Sequence, residues 1–180
     1  MSERPGPLVA DAVDARSGGE VVTIRAIRPD DGVRIVKAFQ SLEPRSIYLR
    51  FFSPKRELSA EEVRRVTEPD PARQAALVAT VPTGDQDEII VALGEYVGSG
   101  ARADIAFAVE DEYQGRGIAS RLLRHLVHIA REKGISRFEA DVLGENLSML
   151  KVFRHSGLPI TESAEGSIVH VTLTLGDGTA

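Results

Sequence analysis

The chain contains no cysteine. That excludes disulfides, thiolate zinc sites and a cysteine nucleophile, and it fits a reducing compartment. No apolar run approaches the ~18 residues of a membrane-spanning helix, and no repeat or low-complexity block interrupts the sequence. Positive charge is not in excess either: the formal net charge is −5. Nucleic-acid binders usually carry a basic stripe, so neither nucleic acid nor membrane is an expected partner, and cationic groups such as amines are favoured. The first ten residues carry one basic side chain, Arg4, and no long apolar core. A signal peptide is therefore not expected, and the cytoplasm is the expected location. With 180 residues, 42% of them hydrophobic, the chain is long enough to bury roughly two thirds of its unfolded surface in one domain.

The segment from residue 1 to 20, with Pro5, Pro7 and Ser17-Gly18-Gly19, lacks any period and is expected to be a flexible tail before a single domain over 21–180. A strand from Val21 ends at Pro29-Asp30-Asp31, where an aspartate can cap a helix reaching about Gln40. Further helices are expected over about Pro44 to Phe51 and from a capping box at Ser59-Ala60-Glu61-Glu62. Ala75–Val81 and Glu88–Tyr96 read as an antiparallel hairpin, followed by a strand over Ala103–Val109. The longest helix is expected from about Gln114 to Lys133, with Ile118, Leu122, Leu126 and Ile129 as its buried stripe and Gly134 beyond its end. A strand at Phe138–Leu143, a helix at Glu145–Ser156 and two closing strands complete a mixed α/β order. The strand–helix–strand crossover within it should be parallel and right-handed.

Chemistry concentrates where Ala103–Val109 runs through Glu110-Asp111-Glu112-Tyr113 into Gln114-Gly115-Arg116-Gly117-Ile118-Ala119. A helix N-terminus presents unpaired N–H groups and a positive dipole end, and glycines remove the Cβ atoms that would hold an anion away. Such a turn suits a pyrophosphate. A phosphate-binding loop of the Walker type needs Lys and Ser/Thr where Ile118 and Ala119 stand, and a dinucleotide fingerprint needs glycine where Ser120 stands. A glycine-assisted turn with no ligand is the competing reading.

Gln114–Ala119 resembles the Q/R-x-x-G-x-G/A signature of the Gcn5-related N-acetyltransferases (GNAT). The likeness extends from Thr23 to about Leu175 and includes Asn146, Met149-Leu150, Phe153 and Gly157-Leu158, with Leu158 replacing the usual aromatic. Ile47–Ser53 followed by Leu58–Glu62 resembles the acetyltransferase domain of bacterial protein-lysine acetyltransferases of the Pat type. The resemblance implies a GNAT-like mixed sheet of about seven strands with helices on both faces. It implies acetyl-CoA as acyl donor, no metal, and an amine acceptor. The pyrophosphate would rest on backbone N–H groups of Gln114, Gly115, Arg116, Gly117, Ile118 and Ala119, with the Ser120 hydroxyl nearby. The pantetheine arm would pair with the backbone near Phe107, Ala108 and Val109, and Asn146 would contact the donor or simply cap its helix.

For the base that takes the amine proton, the resemblance points to Asp104, where Pat-type relatives carry glutamate in an A-E-I-A-F strand. The shorter side chain favours a water relay. Glu110 is the alternative, and a solvated carboxylate is the competing reading for both. A backbone N–H at Ala108 or Val109 would steady the thioester oxygen. Phe153 stands where many relatives place a tyrosine acid. The acceptor is expected to be a protein lysine. The alternatives are a small amine, or an acyl-CoA sensor that does not turn over, in a monomer or a homodimer.

Overall fold

A computed structural model describes residues 11–14 and 20–176. Eight strands form one sheet in the order β1-β2-β3-β4-β5-β6-β8-β7. They are β1 (Asp11–Asp14), β2 (Val21–Ala26), β3 (Gln74–Pro82), β4 (Glu88–Ser99), β5 (Arg102–Val109), β6 (Arg137–Leu143), β7 (Ile160–Glu165) and β8 (Ile168–Thr174). The helices are α1 (Gly32–Ser41), α2 (Pro44–Phe51), α3 (Ala60–Thr67), α4 (Ile118–Glu132) and α5 (Leu147–Arg154). The expected mixed α/β architecture holds, including the parallel β5–α4–β6 unit. No helix among the described residues is long and apolar enough to cross a membrane.

Two elements differ from the sequence expectation. Asp11–Asp14, inside the stretch read as a tail, pairs antiparallel with β2 and makes the sheet eight-stranded. Four residues are too few for a periodic signal, and their partner is the open edge of β2. Residues 1–10 and 15–19 lie outside the described residues. Helix α4 starts at Ile118 rather than Gln114 because Gly115 and Gly117 take positive φ, 75° and 80°, and hold the chain out of the helix. Gly134 closes that helix at φ 76° as expected.

The pleat sends alternate residues to opposite faces. Ala103, Ile105 and Phe107 of β5 join the large core under α4 and α5, with Leu122, Leu126 and Phe153. Val78 and Ile90 pack against Ile35 of α1 on the other face, with Val66 of α3 beside them. Asp104, Ala106 and Ala108 therefore share the face carrying α1, α2 and α3. Ser59 caps α3, accepting the Glu62 N–H, and the Glu62 carboxylate accepts the Ser59 N–H in return.

The first turn leading into α1 is fixed by a buried ion network. Arg25 donates to both oxygens of Asp31 at 2.8 Å and reaches Glu88 at 2.5 Å. Burial pushes the Asp31 carboxyl up, but the bonds from Arg25 and from the Arg28 N–H outweigh it and hold the group below the usual aspartate range. Glu88 is also held low, against its own burial, by Thr80 and Arg25. A carboxyl lowered in the folded state contributes stability that is complete above its unfolded pKa and is lost as pH falls through the folded one. Denaturant midpoints are thus expected to drop as pH falls below about 4. The slope should approach about 1.4 kcal/mol per pH unit for each carboxylate taking up a proton. Asp31→Asn, with Arg25 still charged, should flatten that slope.

Candidate active site

Pairing between β5 and β6 covers Arg102↔Arg137, Ala103↔Phe138 and Asp104↔Glu139, and stops there. Both strands continue, β5 to Val109 and β6 to Leu143, but they diverge. The wedge between them opens into a cleft of about 640 Å³. Its walls are Ile105–Val109 of β5, Ala140–Val142 of β6, the Leu42–Arg50 side of α2, and α5 with the loop before it. The glycine turn and first turn of α4 close one end through Gln114, Gly115, Gly117, Ile118, Ala119 and Ser120. A strand edge without a partner offers N–H and C=O groups to any extended ligand.

The glycine turn is shaped for an anion. Gly117 occupies the N-cap position at φ 80°, so the N–H groups of the first turn of α4 lack helical partners. A Cβ added at Gly115 or Gly117 would meet no heavy atom within 4 Å. The space in front of both is open, and glycine is required there by conformation. Arg116 is absent from the cleft lining: its guanidinium stacks over Tyr113 at 4.7 Å and lies 3.9 Å from Glu20.

A polar staple fixes α2 against this turn. Gln114 Nε2 donates to the Val109 carbonyl at 3.0 Å and to Ser46 Oγ at 3.3 Å. The Ser46 hydroxyl donates to Asp111 at 2.6 Å, and the Glu43 N–H donates to the other Asp111 oxygen at 3.0 Å. Across the mouth, Arg45 of α2 meets Glu145 before α5 at 3.5 Å. Asn146 caps α5 by accepting the Met149 N–H at 3.2 Å, and it also lines the cleft.

The two candidate bases fall at different places. Asp104 is exposed at the apex of the wedge, one residue beyond the cleft wall, on the face of Ala106 and Ala108. Glu110 is half-buried, and burial, then Glu112 and Asp111, push its carboxyl up. It lines a second, smaller chamber of about 90 Å³ beneath α1, α2 and α3. Several groups at the site carry no signal in the sequence. Glu95, cross-strand from Ala106, pairs with Arg50 at 3.1 Å. Asp141 of the cleft wall pairs with His170 at 2.5 Å, and His170 also reaches Glu165 at 3.3 Å. These pairs span 45, 29 and 5 residues, and no local pattern announces the first two. Phe153 is buried against Phe107, with ring centroids 6.1 Å apart, so no hydroxyl stands at that position.

The model of the Acetyltransferase (GNAT) family matches residues 44–158. The chain belongs to this family of acetyltransferases. It is 31% identical over 142 residues to the acetyltransferase Pat of Mycolicibacterium smegmatis, covering 77% of this chain and 41% of that protein. It is 28% identical over 138 residues to an acetyltransferase of Pseudomonas aeruginosa, covering 76% of this chain and 74% of that one. The crystal structure of the GNAT domain of S. lividans PAT superposes with a TM-score of 0.81 at 35% identity, covering 96% of this chain and 99% of that one. The chain thus spans less than half the length of the mycobacterial Pat.

Proposed function

We propose that the chain transfers an acetyl group from acetyl-CoA to a primary amine, a protein lysine in the first place. The observation carrying this reading is the wedge after Asp104↔Glu139, whose open β5 edge leads to the glycine turn. Acetyl-CoA is a substrate, consumed in each turnover. Its pyrophosphate fits the open space before Gly115 and Gly117, and its pantetheine arm fits the unpaired edge of Phe107–Val109. Likeness to the Pat-type domain supports lysine as acceptor. The face of Asp104 also carries Glu139, which lies near Arg102 and Arg137, and Asp141, which pairs with His170.

In the reaction the neutral amine nitrogen attacks the thioester carbon. A C–N bond forms, the C–S bond breaks, and CoA leaves as thiolate; the attacking nitrogen sheds a proton to water, and the thiolate takes one up. A lysine-type amine has a pKa near 10.4, so a proton must be removed before attack. Asp104 receives it through water. Four residues of strand separate Asp104 from Ala108, about 13 Å, so the proton must pass along several waters and not a single one. The N–H of Ala108 or Val109 holds the developing oxyanion. A thiol with pKa near 8.5 departs without a tyrosine acid, in keeping with Phe153.

The test is release of free CoA from acetyl-CoA with lysine peptides, polyamines and amino acids as acceptors. Turnover with peptides only is the expected result. Turnover with small amines only would replace lysine as the acceptor, and binding without turnover would make the chain a sensor. A second expectation concerns Asn146. Asn146→Asp keeps the capping oxygen and loses the amide donor, so stability should hold within ~0.5 kcal/mol while acetyl-CoA affinity falls ~5-fold. Asn146→Ala should lose about 1 kcal/mol of stability as well. Unchanged affinity in both would reduce Asn146 to a cap.

A further inference from the structure

Gly115-Arg116-Gly117 forms the turn between Gln114, which is tied to Ser46 and the Val109 carbonyl, and the first turn of α4. The N–H groups of these three residues make no hydrogen bond among the described residues. Neither glycine has a side chain by which the fold could grip it, and a Cβ at either would meet nothing within 4 Å. Arg116 supplies the turn's one side chain, and that side chain does not line the cleft.

It lies instead against Tyr113 and Glu20. The guanidinium carbon stands 4.7 Å from the centre of the Tyr113 ring, and the buried Nη1 is 3.9 Å from Glu20 Oε2. The Tyr113 hydroxyl donates to the same carboxylate oxygen at 3.2 Å. Burial, then the Glu20 carboxylate, push the Tyr113 phenol up, so it remains a donor at neutral pH. Tyr113 belongs to the core under α4, and Glu20 stands one residue before β2. The three side chains thus join the turn to the core and to the sheet.

We propose that Arg116 is a positioning residue for donor binding: braced by Tyr113 and Glu20, it holds the Gly115–Gly117 turn with its N–H groups set for the pyrophosphate, and its side chain touches no part of the donor. The inference rests on the donor reading of the main cleft. Glycine has more backbone freedom to lose than any other residue, so a turn with two of them is ordered by the ligand unless the fold orders it first. Ordering before binding removes that cost from the affinity. Gln114 fixes the turn at its entry and α4 at its exit, and Arg116 is the side chain that fixes its middle. Stacking uses the flat guanidinium, which lysine lacks. The competing role for an arginine here is direct contact with a donor phosphate. The two roles give opposite signs when Glu20 is changed: a brace loses its anchor, whereas a phosphate-seeking arginine loses a competitor.

The test is CoA affinity by calorimetry, separate KM values for acetyl-CoA and a lysine peptide, and a denaturation curve for each variant. Arg116→Ala should weaken CoA ~5- to 20-fold, in the range of a cation–π contact, and raise the acetyl-CoA KM to match, with kcat and the peptide KM within about twofold. Arg116→Lys should recover little of that loss. Glu20→Gln and Tyr113→Phe should each weaken CoA ~2- to 5-fold, in the range of one hydrogen bond. Should Arg116→Ala fold poorly, Arg116→Met keeps the stem without the guanidinium and is expected to show the same loss. CoA affinity within about twofold of wild type in both variants would overturn the proposal. Full recovery with Arg116→Lys would overturn it by reducing the residue to a charge, and tighter binding in Glu20→Gln would make Arg116 a phosphate ligand instead. Failure of the wild-type protein to bind CoA would remove the donor site itself, and the brace with it.

Discussion

Gly117→Val is expected to abolish donor binding in a protein that still folds. The two effects separate because they have different causes. A β-branched residue at φ 80° costs about 1–2 kcal/mol of backbone strain. No heavy atom lies within 4 Å of the added Cβ, so the Cβ itself meets no collision. In the proposed donor site the same open space receives the pyrophosphate. A side chain there displaces the anion from the N–H groups of the first turn of α4. Hydrogen bonds to a charged group contribute about 1.5–3 kcal/mol each, and losing two of them corresponds to a loss of ~10² or more in affinity. Calorimetry with CoA and a denaturation curve read the two quantities independently. Affinity within tenfold of wild type would remove the glycine turn from the donor site.

Asp104→Ala should lower kcat by ~10²–10⁴ if Asp104 is the base, with donor affinity unchanged because the side chain lies beyond the cleft wall. Asp104→Glu lengthens the reach toward the amine and should retain activity. Glu110→Gln decides between the candidates. Glu110 titrates above the usual glutamate range because it is half-buried and faces Glu112 and Asp111. As base it would have to be ionised, so activity would fall as pH drops through that raised pKa, and Glu110→Gln would abolish the activity. With Asp104 as base, Glu110→Gln keeps the acid limb of the kcat/KM profile and loses less than about threefold. A collapse with Glu110→Gln and an unchanged rate with Asp104→Ala would reverse the assignment.

The features readable in the sequence are those written in adjacent residues. Ser59 and Glu62 announce the start of α3, Pro44 the start of α2, and Gly134 the end of α4. Gln114–Ala119 points to the site because the strand, glycines and helix follow one another directly. The start of the helix is less legible: a start near Gln114 takes in both glycines, whereas their positive φ places them in the turn before it. The meeting of Arg50 with Glu95 and Arg45 with Glu145, over 45 and 100 residues, arises only from tertiary packing. The same holds for the end of β5–β6 pairing at Asp104. The sequence shows two strands of good length and no sign that they part. Nor does it show that Asp104 sits at the point of parting while Glu110 faces a separate chamber.

That parting leaves the sheet as two panels, β1 to β5 and β6-β8-β7, joined by three paired positions. A ligand lying along the free edge of β5 stands where a strand would otherwise mend the seam. The donor then becomes a temporary structural member, and the mechanical continuity of the sheet rises and falls with each catalytic cycle.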